Sequence, residues 1–124
     1  MDLSYPKKEK LKSKKRIEQL FLEGKNVTSF PLKLIYLETA LPDAIKVQTG
    51  VAVSKKRFKN AVKRNRIKRL LRESYRINKS LVTDNTTSSY AFLILYIGKE
   101  MPTYTAIEKQ MQHLFQKFNA KTNA

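Results

Sequence analysis

Apolar residues recur along this chain in two rhythms, steps of three and four and strict alternation, and the switches between them mark its elements. Ser13 precedes Ile17, Leu20 and Phe21, which keep helical spacing as far as Gly24 and predict a short helix over Lys14–Glu23. Phe21 reads either as part of that apolar stripe or as an exposed ring able to stack on a base. A short edge strand is expected at 27–29 and a fuller one at Leu32–Glu38, with the turn supplied by Leu41, Pro42 and Asp43. Residues 45–54 alternate cleanly. Ile45, Val47, Thr49, Val51 and Val53 take one face, and Lys46, Gln48, Gly50, Ala52 and Ser54 take the other. The second face is small and polar, which suits a wall that another molecule approaches or plain contact with water.

Helical spacing returns at 60–78, and a loop composition follows at 79–89. Residues 90–97 are apolar on both faces, the pattern of a central strand covered on two sides. A last helix over 104–118 carries Ile107, Met111, Leu114, Phe115 and Phe118 as its core stripe. The predicted order is α-β-β-β-α-β-α, an α+β chain in which strand, helix and strand form a βαβ unit with parallel pairing. One domain over 1–124 is expected, with 1–12 and 119–124 flexible.

Charge sharpens this picture. The 124 residues carry 26 Lys+Arg against 10 Asp+Glu, a formal net charge of +16 and a pI near 10.2. Twelve of the 26 basic residues lie in 55–79, with Glu73 the one acidic residue among them. At about 100° per residue, Ile67, Leu70, Leu71 and Ile77 share an arc with Tyr75 at its edge. Arg66, Arg69, Arg72 and Arg76 take the opposite arc, with Asn65 and Lys68 on the same broad polar side. A charged run is ordinarily a solvated helix face. This one lacks the acidic partners at three and four residues that stabilise such faces, so its like charges repel until a polyanion offsets them. Successive guanidinium groups rise about 5 Å along the axis, close to the step between phosphates on a strand.

Other chemistries find little support. Cys and Trp are absent, so no disulfide framework or cysteine–metal cluster is expected. The opening MDLSYPKKEKLKSKK has no apolar h-region and does not read as a signal peptide, and 90–97 is too short to cross a bilayer. A cytoplasmic protein without membrane or small-molecule partners is expected. His113, the single histidine, sits in the last helix without a second ligand for a metal. No phosphate-cradling glycine loop or nucleophile elbow occurs, and the scattered carboxylates form no acid/base couple, so no catalytic residue and no protein-held metal are expected. Zinc-finger, zipper and RNP-type signatures are also missing. With Asn65 the one amide placed for base readout, the helix suits structured RNA better than a DNA operator.

The residues 50–76, GVAVSKKRFKNAVKRNRIKRLLRESYR, resemble the signature of the bacterial ribonuclease P protein subunit: a strand ending in a Ser-Lys-Lys-like run, then a helix bearing Arg-Asn-Arg-Ile-Lys-Arg at 64–69. The likeness extends more weakly over the first helix, the last strand and the final helix. It implies an α/β sandwich with a four-stranded sheet and a left-handed βαβ crossover, against the usual right-handed preference, similar to ribosomal-protein domains. It also implies a ribonuclease P catalytic RNA as partner, which with Mg²⁺ removes the 5′ leader of precursor tRNA. Carried over by position, Lys55, Lys56, Arg64, Asn65, Arg66, Lys68, Arg69 and Arg72 would meet that RNA. Ile17, Phe21 and Tyr36 would line a cleft for the single-stranded leader between the first helix and the sheet. Two positions depart from the pattern: Ile17 stands where many members carry a second aromatic, and Lys59 where many carry Gly. The chain would then be an accessory subunit of an endoribonuclease whose catalytic centre and Mg²⁺ lie in the RNA. The rival reading is a non-enzymatic binder of structured RNA, of ribosomal or ribosome-assembly type.

Overall fold

In the computed structural model, which describes residues 3–123, four strands form one sheet in the order β1-β2-β4-β3. Strands β1 (Lys25–Ser29) and β2 (Leu32–Glu38) make an antiparallel hairpin. β2 also pairs antiparallel with β4 (Tyr90–Tyr96), and β4 pairs in parallel with β3 (Val47–Val53). Helix α1 (Lys14–Glu23) lies across β2 and β4 on one face. Helices α2 (Ala61–Asn78) and α4 (Tyr104–Thr122) cover the other, with a single turn, α3 (Ser80–Thr83), inside the expected loop.

The pleat divides the core in two. Leu34, Tyr36, Phe92, Ile94 and Val53 pack against Ile67, Leu71 and Tyr75 of α2 and Phe115 and Phe118 of α4. On the reverse face Ile35, Ala91 and Leu93 receive Leu11 and Leu20, with Ile17, Leu37, Ala52 and Leu95 partly buried around them. β4 is therefore covered on both sides, as its unbroken apolar run requires. Helix α1 starts at Ser13, whose hydroxyl oxygen accepts from the Arg16 amide at 3.2 Å. It ends at Gly24, but not through a left-handed residue, since φ there is −69°. A Cβ at Gly24 would lie 2.4 Å from the Leu20 carbonyl oxygen and 2.8 Å from Ile35 Cγ2, so glycine is required for the close approach of the helix end to β2.

Several expectations change. Tyr36, expected in the leader cleft, is on the face away from α1, 4% exposed, with its ring centroid 4.9 Å from that of Phe118. The stretch Leu34-Ile35-Tyr36-Leu37 has no alternation to reveal its parity, and the pairing of Tyr36 with Phe92 settles it. The buried stripe of α2 is Ile67, Leu71, Ser74, Tyr75 and Asn78, whereas Ile77 stays half-buried. Of the stretch 1–12, expected to be flexible, residues 1 and 2 lie outside the described residues, and residues 7–11 are packed: a 3-10 turn spans Lys7–Glu9, Lys10 bridges in parallel to Thr49, and Leu11 is 7% exposed. The helical part of the expected C-terminal tail reaches Thr122.

Candidate nucleic-acid interface

The basic helix is held at its start by its own side chains. Asn60 Oδ1 accepts from the amides of Val62 and Lys63 at 2.8 and 3.2 Å, capping the first turn. Arg64 turns back and donates to the carbonyls of Phe58 and Lys59 at 2.6 and 2.9 Å. It therefore clamps the entry loop, where the sequence pattern places it beside Arg66 as a free contact. Phe58, 6% exposed and 5.9 Å from the Tyr96 ring, plugs the same loop into the core. Arg57 donates to the Ile97 carbonyl. With these anchors inside, Lys55, Lys56 and Lys59 are left on the outside, exposed.

Along the helix the outward residues separate into engaged and free. Arg76 pairs with Glu73 at 2.6 Å and also donates to the Leu3 carbonyl at 2.9 Å. The Arg76 hydrogen bond holds the exposed Glu73 carboxyl below the usual carboxylate range. Arg72 stands close enough to Tyr5 for its charge to oppose the upward shift that burial gives the phenol. Among the described residues, the side chains of Asn65, Arg66, Lys68 and Arg69 have no hydrogen-bond or ion-pair partner. Of these, Asn65, Arg66 and Arg69 are exposed and Lys68 is half-buried. They form a ready-made row of cationic donors around one amide, facing water.

The second group lies on the opposite face of the sheet. Leu20 is fully buried, and Ile17 is partly buried beside it in the smaller cluster. Phe21, about 40° round the helix from Ile17, is 61% exposed, and its neighbour Leu22 is 85% exposed. Phe21 is therefore not core, and its ring is open to a partner. The outward side of β3 is half-covered, not open: Gln48 donates to the Lys8 carbonyl at 3.1 Å, and Leu11 closes over Gly50. Ile17 and Phe21 share this face, while Tyr36 is across the sheet from them. No local motif marks Arg57 and Phe58 as anchors of this loop. An aromatic in the middle of a basic run was the available sign for Phe58, because an apolar ring among charges is most stable when buried.

No group of three or more His, Cys, Asp or Glu side chains able to hold a metal occurs among the described residues, and no described helix is long and apolar enough to cross a membrane. Fold and surface together define a small basic α+β domain with a row of cationic helix side chains open to water. Residues 5–119 match the family model described as Ribonuclease P. The chain is 38% identical over 111 residues to the ribonuclease P protein component of Porphyromonas gingivalis strain ATCC 33277, covering 86% of this chain and 80% of that one. It is 33% identical over 124 residues to the component from Chlorobium phaeobacteroides, covering 90% and 85%. Its fold is similar to the RNase P proteins of Staphylococcus aureus (TM-score 0.71, 21% identity, 89% and 94% coverage) and Thermotoga maritima (TM-score 0.71, 19% identity, 88% and 96% coverage). The chain belongs to the ribonuclease P protein family, and its function is that of a protein component in tRNA processing.

Proposed function

We propose that the outer side of α2 docks on the catalytic RNA of ribonuclease P, while Ile17 and Phe21 on α1 hold the single-stranded 5′ leader of precursor tRNA. The observation that carries this reading is the set of unpartnered donors at Asn65, Arg66, Lys68 and Arg69, flanked by Lys55, Lys56 and Arg72. Each cation set on a phosphate releases condensed counterions, which drives binding and makes it salt-dependent. Phe21 adds a face on which a leader base can stack. Arg64 contributes indirectly, by fixing the loop that carries Lys55 and Lys56.

Cleavage itself is assigned to the RNA. In this reading Mg²⁺ also belongs to the RNA partner, and the chain's share is to offset phosphate repulsion and to position the leader. The work belongs in the cytoplasm, with the precursors. The test is reconstitution with a 5′-extended precursor tRNA at low Mg²⁺, using protein alone, RNA alone and both. Cleavage at the mature 5′ end by the mixture alone is the expected result. Cleavage by the protein alone would overturn the assignment of the catalytic centre, and a mixture no better than RNA alone would overturn the docking.

A further inference from the structure

The segment before α1 is tied to both the sheet and the basic helix. Tyr5 packs edge-on against Tyr75 with centroids 5.3 Å apart, and its hydroxyl donates to the Thr49 carbonyl. Glu9 pairs with Lys79 of the α2 C-terminus at 2.8 Å. The Leu11 amide donates to the Thr49 carbonyl at 3.0 Å, and Leu11 itself sinks into the smaller core cluster. These ties leave lysines at fixed places on the outside. The Lys10 ammonium sits 5.3 Å above the Tyr5 ring, Arg72 approaches the same tyrosine from α2, and Lys12 stands exposed on the other side of Leu11. Neither Lys10 nor Lys12 has a carboxylate partner among the described residues, since the one acidic neighbour, Glu9, is taken by Lys79.

We propose that Lys10 and Lys12 form a second phosphate-contacting wall along the outer edge of β3, parallel to the Lys68–Arg72 flank of α2, and that the same strand of the ribonuclease P RNA runs between the two. The occupant is fixed by charge: Lys10 and Arg72 both approach Tyr5, Glu9, the carboxylate that acts on the same ring, is already paired with Lys79, and the surplus of positive charge is offset when a polyanion arrives. Tyr5 is the positioning residue of this wall, holding Lys10 toward α2 by a cation–π contact. This deepens the proposed function and rests on the docking of α2.

The test measures binding of the ribonuclease P RNA against salt concentration for four proteins: wild type, Lys10→Ala/Lys12→Ala, Arg66→Ala/Arg69→Ala, and Lys25→Ala/Lys109→Ala. The last pair removes the same charge from exposed positions in β1 and α4, away from both walls. Loss of Lys10 and Lys12 is expected to weaken binding about tenfold near 0.1 M salt and to lower the salt slope by one to two, since each phosphate contact contributes about 0.7–0.9 to it. The Lys25/Lys109 pair should lose less than threefold. Equal losses from these two variants would overturn the second wall. Unchanged binding by the Arg66/Arg69 variant would overturn the α2 docking instead, so the two failures are distinguishable. Tyr5→Leu, which keeps every charge, is expected to weaken binding about threefold, and wild-type affinity in that variant would remove Tyr5 from the account.

Discussion

Glu9 and Lys79 meet at 2.8 Å across 70 residues of sequence, with side chains 19% and 7% exposed. Lys79 also donates to the Ser4 carbonyl, so a nearly buried ammonium is satisfied entirely by the segment that precedes α1. The pair joins the end of the basic helix to the β3 edge.

Breaking it therefore strands a charge. Glu9→Ala leaves the Lys79 ammonium with one carbonyl for company, at an expected cost of about 2 kcal/mol, less than a fully buried pair because Glu9 is partly solvated. Thermal unfolding should show a fall of about 5–10 °C. A change under 1 °C would mean the segment is held by Tyr5 and Leu11 alone.

Phe58 links stability to the interface. Phe58→Ala empties the site beside Tyr96 and is expected to cost about 3–5 kcal/mol, as other buried aromatic truncations do. It also frees the loop bearing Lys55 and Lys56, so RNA affinity should drop even at temperatures where the variant is folded. Denaturant titration and RNA binding check the two halves separately, and full affinity in the folded variant would show that the loop needs no anchor.

For Phe21 the two readouts should diverge. At 61% exposure, Phe21→Ala is expected to change folding stability by no more than about 0.5 kcal/mol. Loss of a stacking face is worth about 1–3 kcal/mol per base, so the apparent substrate constant should rise for precursors with leaders of several nucleotides. Equal losses on a leaderless substrate would place the effect outside the cleft.

Alkali should loosen the fold through its tyrosines. Burial pushes all six phenols above their ordinary value of 10.0, Tyr5 to about 12 and Tyr75 higher still. The folded state thus keeps protons that the unfolded chain gives up above pH 10. Stability from these groups is complete below pH 10 and declines as pH climbs toward 12. Tyrosinate absorbance, read with and without denaturant, should show the folded midpoint displaced upward. Coincident curves would contradict the burial of Tyr5 and Tyr75.

Local chemistry by itself determined much of this protein. The Ser13 cap and the Ile17–Leu20 spacing define α1 because both act within a few residues. The doubly apolar run of β4 and the alternation through Val47, Thr49, Val51 and Val53 place those strands and their parallel pairing. The free cations of α2 were legible for the same reason: helical spacing alone puts Arg66 and Arg69 opposite Ile67 and Leu71. Only the tertiary structure decided the parity of Tyr36, since four successive apolar residues carry no alternation and the choice of face depends on pairing with Phe92. It alone separated Arg64, spent on the carbonyls of Phe58 and Lys59, from Arg66, which is free. It also turned a lysine-rich stretch that looks mobile into an ordered edge. Tyr75 and Lys79, which Tyr5 and Glu9 meet, each lie 70 residues further along the sequence, and no local pattern encodes such a meeting.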